Sequence, residues 1–198
     1  PWQANFARRV STGDWPRFVC APTGSGKTGC LDAALFALAL QASQPAETRT
    51  AGRRIFFIVN RRVIVDEAYQ RAQQLAEKLA SAALGTVTAN VAARLRFLTG
   101  EADAPPLTCT QLRGGVYRDR SWARSLLQPM IVCSTVDQAG SSLLFRGYGV
   151  SPCARPIHAA LVAQDSLLLL DEAHISRPFI ETLEWVRRYR LHQPSGAE

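Results

Sequence analysis

Phe18-Val19-Cys20-Ala21-Pro22-Thr23-Gly24-Ser25-Gly26-Lys27-Thr28 is the stretch whose reading decides the fold. Phe18-Val19-Cys20 is a short apolar run and reads as a buried strand. Leu31 to Leu40 is rich in Ala and Leu and reads as a helix. Between them lies a Gly-rich turn ending in Lys-Thr, and strand, turn and helix start are the context that a phosphate-binding loop needs. Gly24 and Gly26 allow backbone angles closed to residues with a Cβ, so that successive N–H groups can face β- and γ-phosphate oxygens. The helix N-terminus adds its partial positive charge. Thr23, Gly24, Ser25 and Gly26 thus form the cradle, Lys27 is placed to neutralise phosphate charge, and the Thr28 hydroxyl to hold Mg²⁺. The strict pattern has Gly where this chain has Ala21.

Far downstream, Ser166-Leu167-Leu168-Leu169-Leu170-Asp171-Glu172-Ala173-His174 is an uninterrupted apolar run ending in acids. It reads as a strand buried on both faces, with the acids at its carboxyl end, where open α/β sheets bind ligands. Asp171 is placed to hold Mg²⁺ through water, and Glu172 to orient or deprotonate an attacking water. A solvated turn after a core strand is the bland alternative, and the phosphate loop upstream weighs against it. His174 reads either as a coupling residue or as a polar member of the turn. The other histidines, His158 and His192, have no ligand-like spacing to it.

A chain of 198 residues is long enough for one α/β domain with a core. No run approaches the length of a membrane span, and no signal peptide opens the sequence. The five cysteines show no CxxC spacing; small buried thiols in a reduced, cytoplasmic protein are the simplest reading. The formal charge of +7 is carried almost wholly by arginine, since Lys27 and Lys78 are the only lysines. Arg53-Arg54 and Arg61-Arg62 bracket one apolar run, while Arg113, Arg118, Arg120 and Arg124 crowd one connection. These clusters fit a nucleic-acid partner, with a solvated basic face as the competing reading.

Along the chain, Ile55 to Val59 reads as a strand, and Val65, Ala68, Tyr69, Ala72, Leu75, Leu79 and Ala83 recur at helical spacing. Leu107 to Thr110 and Met130 to Cys133 read as further strands, the latter closed by Ser134 to Gln138 and a short helix. The stretches 44–52, 100–106 and 146–156 hold Gly and Pro and read as loops, and 193–198 as a polar tail. Pro178 suits the first turn of a last helix running from Phe179 to about Tyr189. Strands alternating with helices predict an α/β, mainly parallel sheet with helices on both faces.

With these motifs in this order, the chain resembles the first RecA-like lobe of a superfamily 2 DEAH-box helicase over almost its whole length. Ala21–Thr28 and Asp171–His174 correspond to its two ATP motifs, and Ala in place of the first Gly is common in such loops. The resemblance implies Lys27, Asp171 and Glu172 as catalytic residues, with ATP and Mg²⁺ as nucleotide and metal. It implies a single-strand grip by Asn60, Arg61 and Arg62, by Arg113, Gly114 and Gly115, and by Ser134, Thr135 and Gln138. It also implies that Gln3 reads adenine. Val59-Asn60-Arg61-Arg62-Val63-Ile64-Val65-Asp66-Glu67-Ala68 and Thr135-Val136-Asp137-Gln138 are similar to the CRISPR-associated helicase-nuclease of type I systems. In that family the helicase reels single-stranded DNA to a metal-dependent HD nuclease after recruitment by an RNA-guided surveillance complex. On this reading residues 1–198 are the ATP-binding lobe alone, a fragment lacking the second RecA-like lobe, with its arginine finger, and any HD nuclease domain. RNA instead of DNA as the track stays open. A small-molecule P-loop kinase and a non-hydrolytic nucleotide-binding module are the readings from other classes; intact Lys27, Thr28, Asp171 and Glu172 count against the last.

Overall fold

Ile55-Phe56-Phe57-Ile58-Val59 is buried at every position, as a β-branched and aromatic run in the middle of a sheet should be. A computed structural model describes residues 2–22, 24–114, 121–123 and 125–191. Its strands are β1 (Arg54–Val59), β2 (Thr108–Leu112), β3 (Met130–Thr135) and β4 (Ser166–Leu170). They form one sheet in the order β2-β3-β1-β4, and every pairing is parallel. Parallel strands need crossovers, and helices supply them on both faces: α1 (Trp2–Ser11), α2 (Cys30–Leu40), α3 (Arg62–Ala80), α4 (Val87–Phe97), α5 (Val136–Leu143), α6 (Arg155–Ala163) and α7 (Arg177–Leu191).

The period-2 alternation of β1 divides the core into two halves. Ile55, Phe57 and Val59 join Ile131 and Cys133 of β3 against α1 to α4. Phe56 and Ile58 join Met130 and Val132 against α5, α6, α7 and Trp122. Trp122 meets the edge of Phe56 at 6.1 Å between centroids, a pairing worth about 0.5–1.5 kcal/mol beyond its burial. Helix α2 buries eight of its eleven residues and leaves only the stripe of Asp32, Phe36 and Leu40 outward, which suits its place between the sheet, α1 and α4.

The sheet therefore delivers the residues that follow its strands, Asn60, Arg113, Val136 and Asp171, to one carboxyl edge. The opposite edge is closed by Asp165, whose carboxylate holds Arg49 at 2.7 Å and Arg53 at 3.6 Å. Arg54 is buried there and donates to the carbonyls of Leu126 and Gln164. Arg53 and Arg54 are thus structural clips at the far end of β1, not part of a basic face with Arg61 and Arg62.

Several expectations need correction. Phe18-Val19-Cys20 is not a strand of this sheet: Phe18 is 67% exposed and Cys20 is also exposed. Three apolar residues carry no periodicity, and this backbone pairs with none of the four strands. Strand β4 is half-buried rather than covered on both faces, because it pairs only with β1 and forms an edge of the sheet. Cys20 and Cys153 are exposed thiols, against the expectation of buried ones.

The long helix ends at Ala80, before Ala83. Helices α1, α4 and α6 were not legible as periodic runs. Helix α4 starts where the Thr86 hydroxyl accepts from the Ala89 N–H at 3.1 Å, and α6 starts inside a Gly/Pro-rich stretch, with Pro156 in its first turn. Arg118, Arg120, Arg124, His192 and 193–198 lie outside the described residues, and among those described no helix is long and apolar enough to cross a membrane.

Candidate functional site

Gly24 and Gly26 both take left-handed backbone angles, φ 77° and 76°, so the turn folds in the way that only glycine accepts without strain. Lys27 to Gly29 form one 3₁₀ turn that runs into α2. The loop is held from the N-terminal helix. Trp2 Nε1 donates to the Ser25 carbonyl at 3.2 Å, and Gln3 Nε2 donates to the Gly26 carbonyl at 3.0 Å. A Cβ on Gly26 would stand 2.7 Å from that Gln3 nitrogen, the movable end of a flexible side chain, so it is the backbone angle that calls for glycine here. Thr23 lies outside the described residues.

Across the carboxyl edge, the Asp171 N–H donates to the Ile58 carbonyl at 2.9 Å, carrying β4's alignment with β1 one residue past the strand. Glu172 then turns into the left-handed region at φ 49°, where a side chain with a Cβ is uncommon and functional sites concentrate. Its N–H donates to its neighbour's Asp171 Oδ1 at 2.9 Å. Burial pushes the Cys30 thiol up to about 11, and the Asp171 carboxylate adds to the shift. Cys30 opens α2, the helix that follows the phosphate loop. The loop that leads into α2 and the acids that follow β4 are 143 positions apart in numbering from Thr28 to Asp171, and the Cys30 thiol lies close enough to Asp171 to sense its charge.

The residues fit a magnesium-bound nucleoside triphosphate. No described residue other than its chain neighbours lies within 4 Å of the position a Gly24 Cβ would take, which leaves space over the turn. The Ser25 hydroxyl is buried without a hydrogen-bond partner among the described residues, an orphan that a phosphate oxygen would satisfy. Lys27 forms no ion pair with a described residue. Thr28 and Asp171 supply the hard oxygen donors that Mg²⁺ takes.

The segments expected to grip a strand share the same edge. Asn60, Arg61 and Arg62 are exposed at the end of β1 and the start of α3. Arg113 follows β2 and is engaged: its Nε stands 2.6 Å from Asp66 Oδ1, one turn into α3. Gly114 lies under the Arg62 guanidinium, with its would-be Cβ 3.3 Å from Arg62 Nη2; Gly115 lies outside the described residues. After β3, Gln138 is half-buried, Thr135 is the residue from which α5 starts, and Ser134 is 0% exposed with its hydroxyl on the Thr135 carbonyl. The edge therefore presents Asn60, Arg61 and Arg62 most openly, and buries Thr135 as well as Ser134.

Residues 1–188 match the DEAD/DEAH box helicase family. The chain belongs to that family. No curated protein and no solved structure matches it. The parallel sheet with helices on both faces is the RecA-like fold of this family, and membership makes the chain a helicase-type ATPase lobe. Three residues of this DEAD/DEAH box lobe were missed from the sequence. Trp2 had only its adjacency to Gln3 as a signal. Asp66 sits four residues after Arg62 on α3, a spacing that puts both on one helix face. Ser176 had no signal at all, yet its hydroxyl donates to Asn60 Oδ1 at 2.9 Å.

Proposed function

We propose that this chain is the ATP-binding lobe of an ATP-dependent helicase or translocase that moves along single-stranded DNA, serving the interference step of a type I CRISPR system in the cytoplasm. The observation that carries the reading is the shared carboxyl edge: the acids of the DEAH turn emerge at the same side of the sheet as Asn60–Arg62 and Arg113–Gly114. Chemistry at one set of strand ends can then move a strand held at the neighbouring ones. The similarity of Val59–Ala68 and Thr135–Gln138 to the CRISPR-associated helicase-nuclease supports the finer assignment, and five unpaired cysteines suit a reducing compartment.

In this reading Gly24 to Gly26 and Lys27 hold the β- and γ-phosphates, and Thr28 and Asp171 hold Mg²⁺. The metal, when bound, neutralises charge that builds on the phosphoryl group. Glu172, aimed by its left-handed backbone, orients the attacking water and draws its proton. Gln3 keeps Oε1 to accept from adenine while its Nε2 holds Gly26. Asn60, Arg61, Arg62, Thr135 and Gln138 bond phosphates without reading bases, which makes the grip sequence-tolerant. A second RecA-like lobe supplies the transition-state arginine, and an RNA-guided surveillance complex delivers the strand.

The test is ATP turnover by the intact protein with single-stranded DNA, duplex DNA or single-stranded RNA added. Stimulation by single-stranded DNA above the other two is the expected result. Stimulation by RNA alone moves the protein to RNA metabolism, and stimulation by none overturns the translocase reading in favour of a nucleotide-binding module.

A further inference from the structure

Two hydrogen bonds close a small ring across the end of β1. The Asp171 N–H donates to the Ile58 carbonyl at 2.9 Å, and five residues later the Ser176 hydroxyl donates to Asn60 Oδ1 at 2.9 Å. Ile58 to Asn60 form one side of the ring, and Asp171 to Ser176 the other. The second side contains the left-handed Glu172 and a 3₁₀ turn from Ala173 to Ile175, tied by Ile175 N–H to the Glu172 carbonyl and Ser176 N–H to the Ala173 carbonyl. It is short and internally bonded, so a shift at Glu172 reaches Ser176 with little slack.

Ser176 has a local use that it does not follow. Its carbonyl accepts from the Phe179 and Ile180 N–H groups, which puts it at the start of α7. A serine there ordinarily turns its hydroxyl onto the first free N–H groups of its own helix. Here the hydroxyl crosses to another strand end instead, in a residue only 4% exposed. The bond occupies the oxygen of the Asn60 amide. The Asn60 Nδ2 hydrogens, with no described acceptor, are left at the exposed carboxyl edge beside Arg61 and Arg62.

We infer that Ser176 is a positioning residue that couples the ATP site to the nucleic-acid track by fixing the amide of Asn60, so that a strand bound at Asn60 and a nucleotide engaged at Glu172 act on the same ring. The inference rests on the reading of Asn60 as a track residue and deepens it. Polynucleotide gripped by the Asn60 amide holds Oδ1 toward Ser176, which steadies the turn that carries Glu172. Hydrolysis is thereby faster on the track than off it.

The experiment measures ATP turnover of the intact protein with and without single-stranded DNA, together with its thermal midpoint and Mg·ATP affinity. Ser176→Ala should keep the midpoint and the nucleotide affinity, and should lose about fivefold to tenfold of the stimulation by DNA, read as the ratio of the stimulated to the DNA-free rate. Ser176→Thr, which keeps the hydroxyl, should restore it. Full stimulation in Ser176→Ala overturns the coupling while leaving the track reading intact. A proportional fall in DNA-free rate, stimulated rate and thermal midpoint also overturns it, since that marks a residue that merely starts α7. Absence of stimulation in the wild type overturns the track reading, and the inference with it.

Discussion

Arg113 Nε stands 2.6 Å from Asp66 Oδ1, and this ion pair sets Arg113 apart from the exposed Arg61 and Arg62. Arg113 is tied to α3, and the tie holds Gly114 beneath the Arg62 guanidinium. Both partners of the pair keep solvent exposure, 22% and 40% of their side chains, so it contributes no more than about 1 kcal/mol to stability. Its contribution is the placement of the loop.

Arg62→Ala should therefore weaken single-strand binding and reduce the slope of log affinity against log salt by about 0.7, the value for one phosphate lost on a single strand. Arg113→Ala should leave the slope nearly unchanged. Gly114→Ala should act on binding like a milder Arg62→Ala, because its methyl group displaces a flexible guanidinium and not the backbone. Salt titrations of binding by the three variants, alongside melting curves, decide the matter. Equal slope changes in Arg62→Ala and Arg113→Ala would show that both touch phosphate.

Glu172→Gln should bind Mg·ATP as the wild type does and stall its hydrolysis, since the amide keeps the shape but cannot take a proton. If a second lobe supplies the transition-state arginine, as proposed, the chain by itself should turn over ATP about 10³–10⁵ more slowly than the intact protein. Single-turnover assays on both check this. Turnover by the lone lobe at the rate of the intact protein would show that the site is not shared.

The thiols give a prediction independent of nucleotide. Burial, aided by the Asp171 carboxylate, holds Cys30 near 11, so its thiolate fraction at pH 8 is on the order of one in a thousand. Burial pushes Cys133 up as well. Iodoacetamide at pH 8 should label the exposed Cys20 and Cys153 and spare Cys30 and Cys133 in the native protein. Mass spectrometry of peptides reads the outcome, and rapid labelling of Cys30 would mean that the start of α2 opens.

Much of this arrangement was legible in the residues because the strongest signals are local. The phosphate loop is a contiguous turn with two obligatory glycines, and β1 and β3 are buried runs whose apolar character survives any neighbour. Phe18-Val19-Cys20 misled because three apolar residues do not say whether a partner strand lies beside them. Helix α4 was hidden because only two of its residues, Ala92 and Leu95, are buried, too few to show a period. Arg53 and Arg54 look like Arg61 and Arg62 in sequence, and only the parallel sheet sends the two pairs to opposite edges. The bonds Trp2–Ser25, Arg113–Asp66 and Ser176–Asn60 join residues 23, 47 and 116 positions apart, and no local pattern announces such pairs.

The central claim is that Ala21–Thr28 and Asp171–Glu172 form one nucleotide site, and calorimetry with Mg·ATP on this chain and on Lys27→Ala tests it most directly. The account predicts measurable binding by the wild type and none by Lys27→Ala, with the thermal midpoint of the nucleotide-free proteins unchanged. Equal affinity in the two proteins would contradict it.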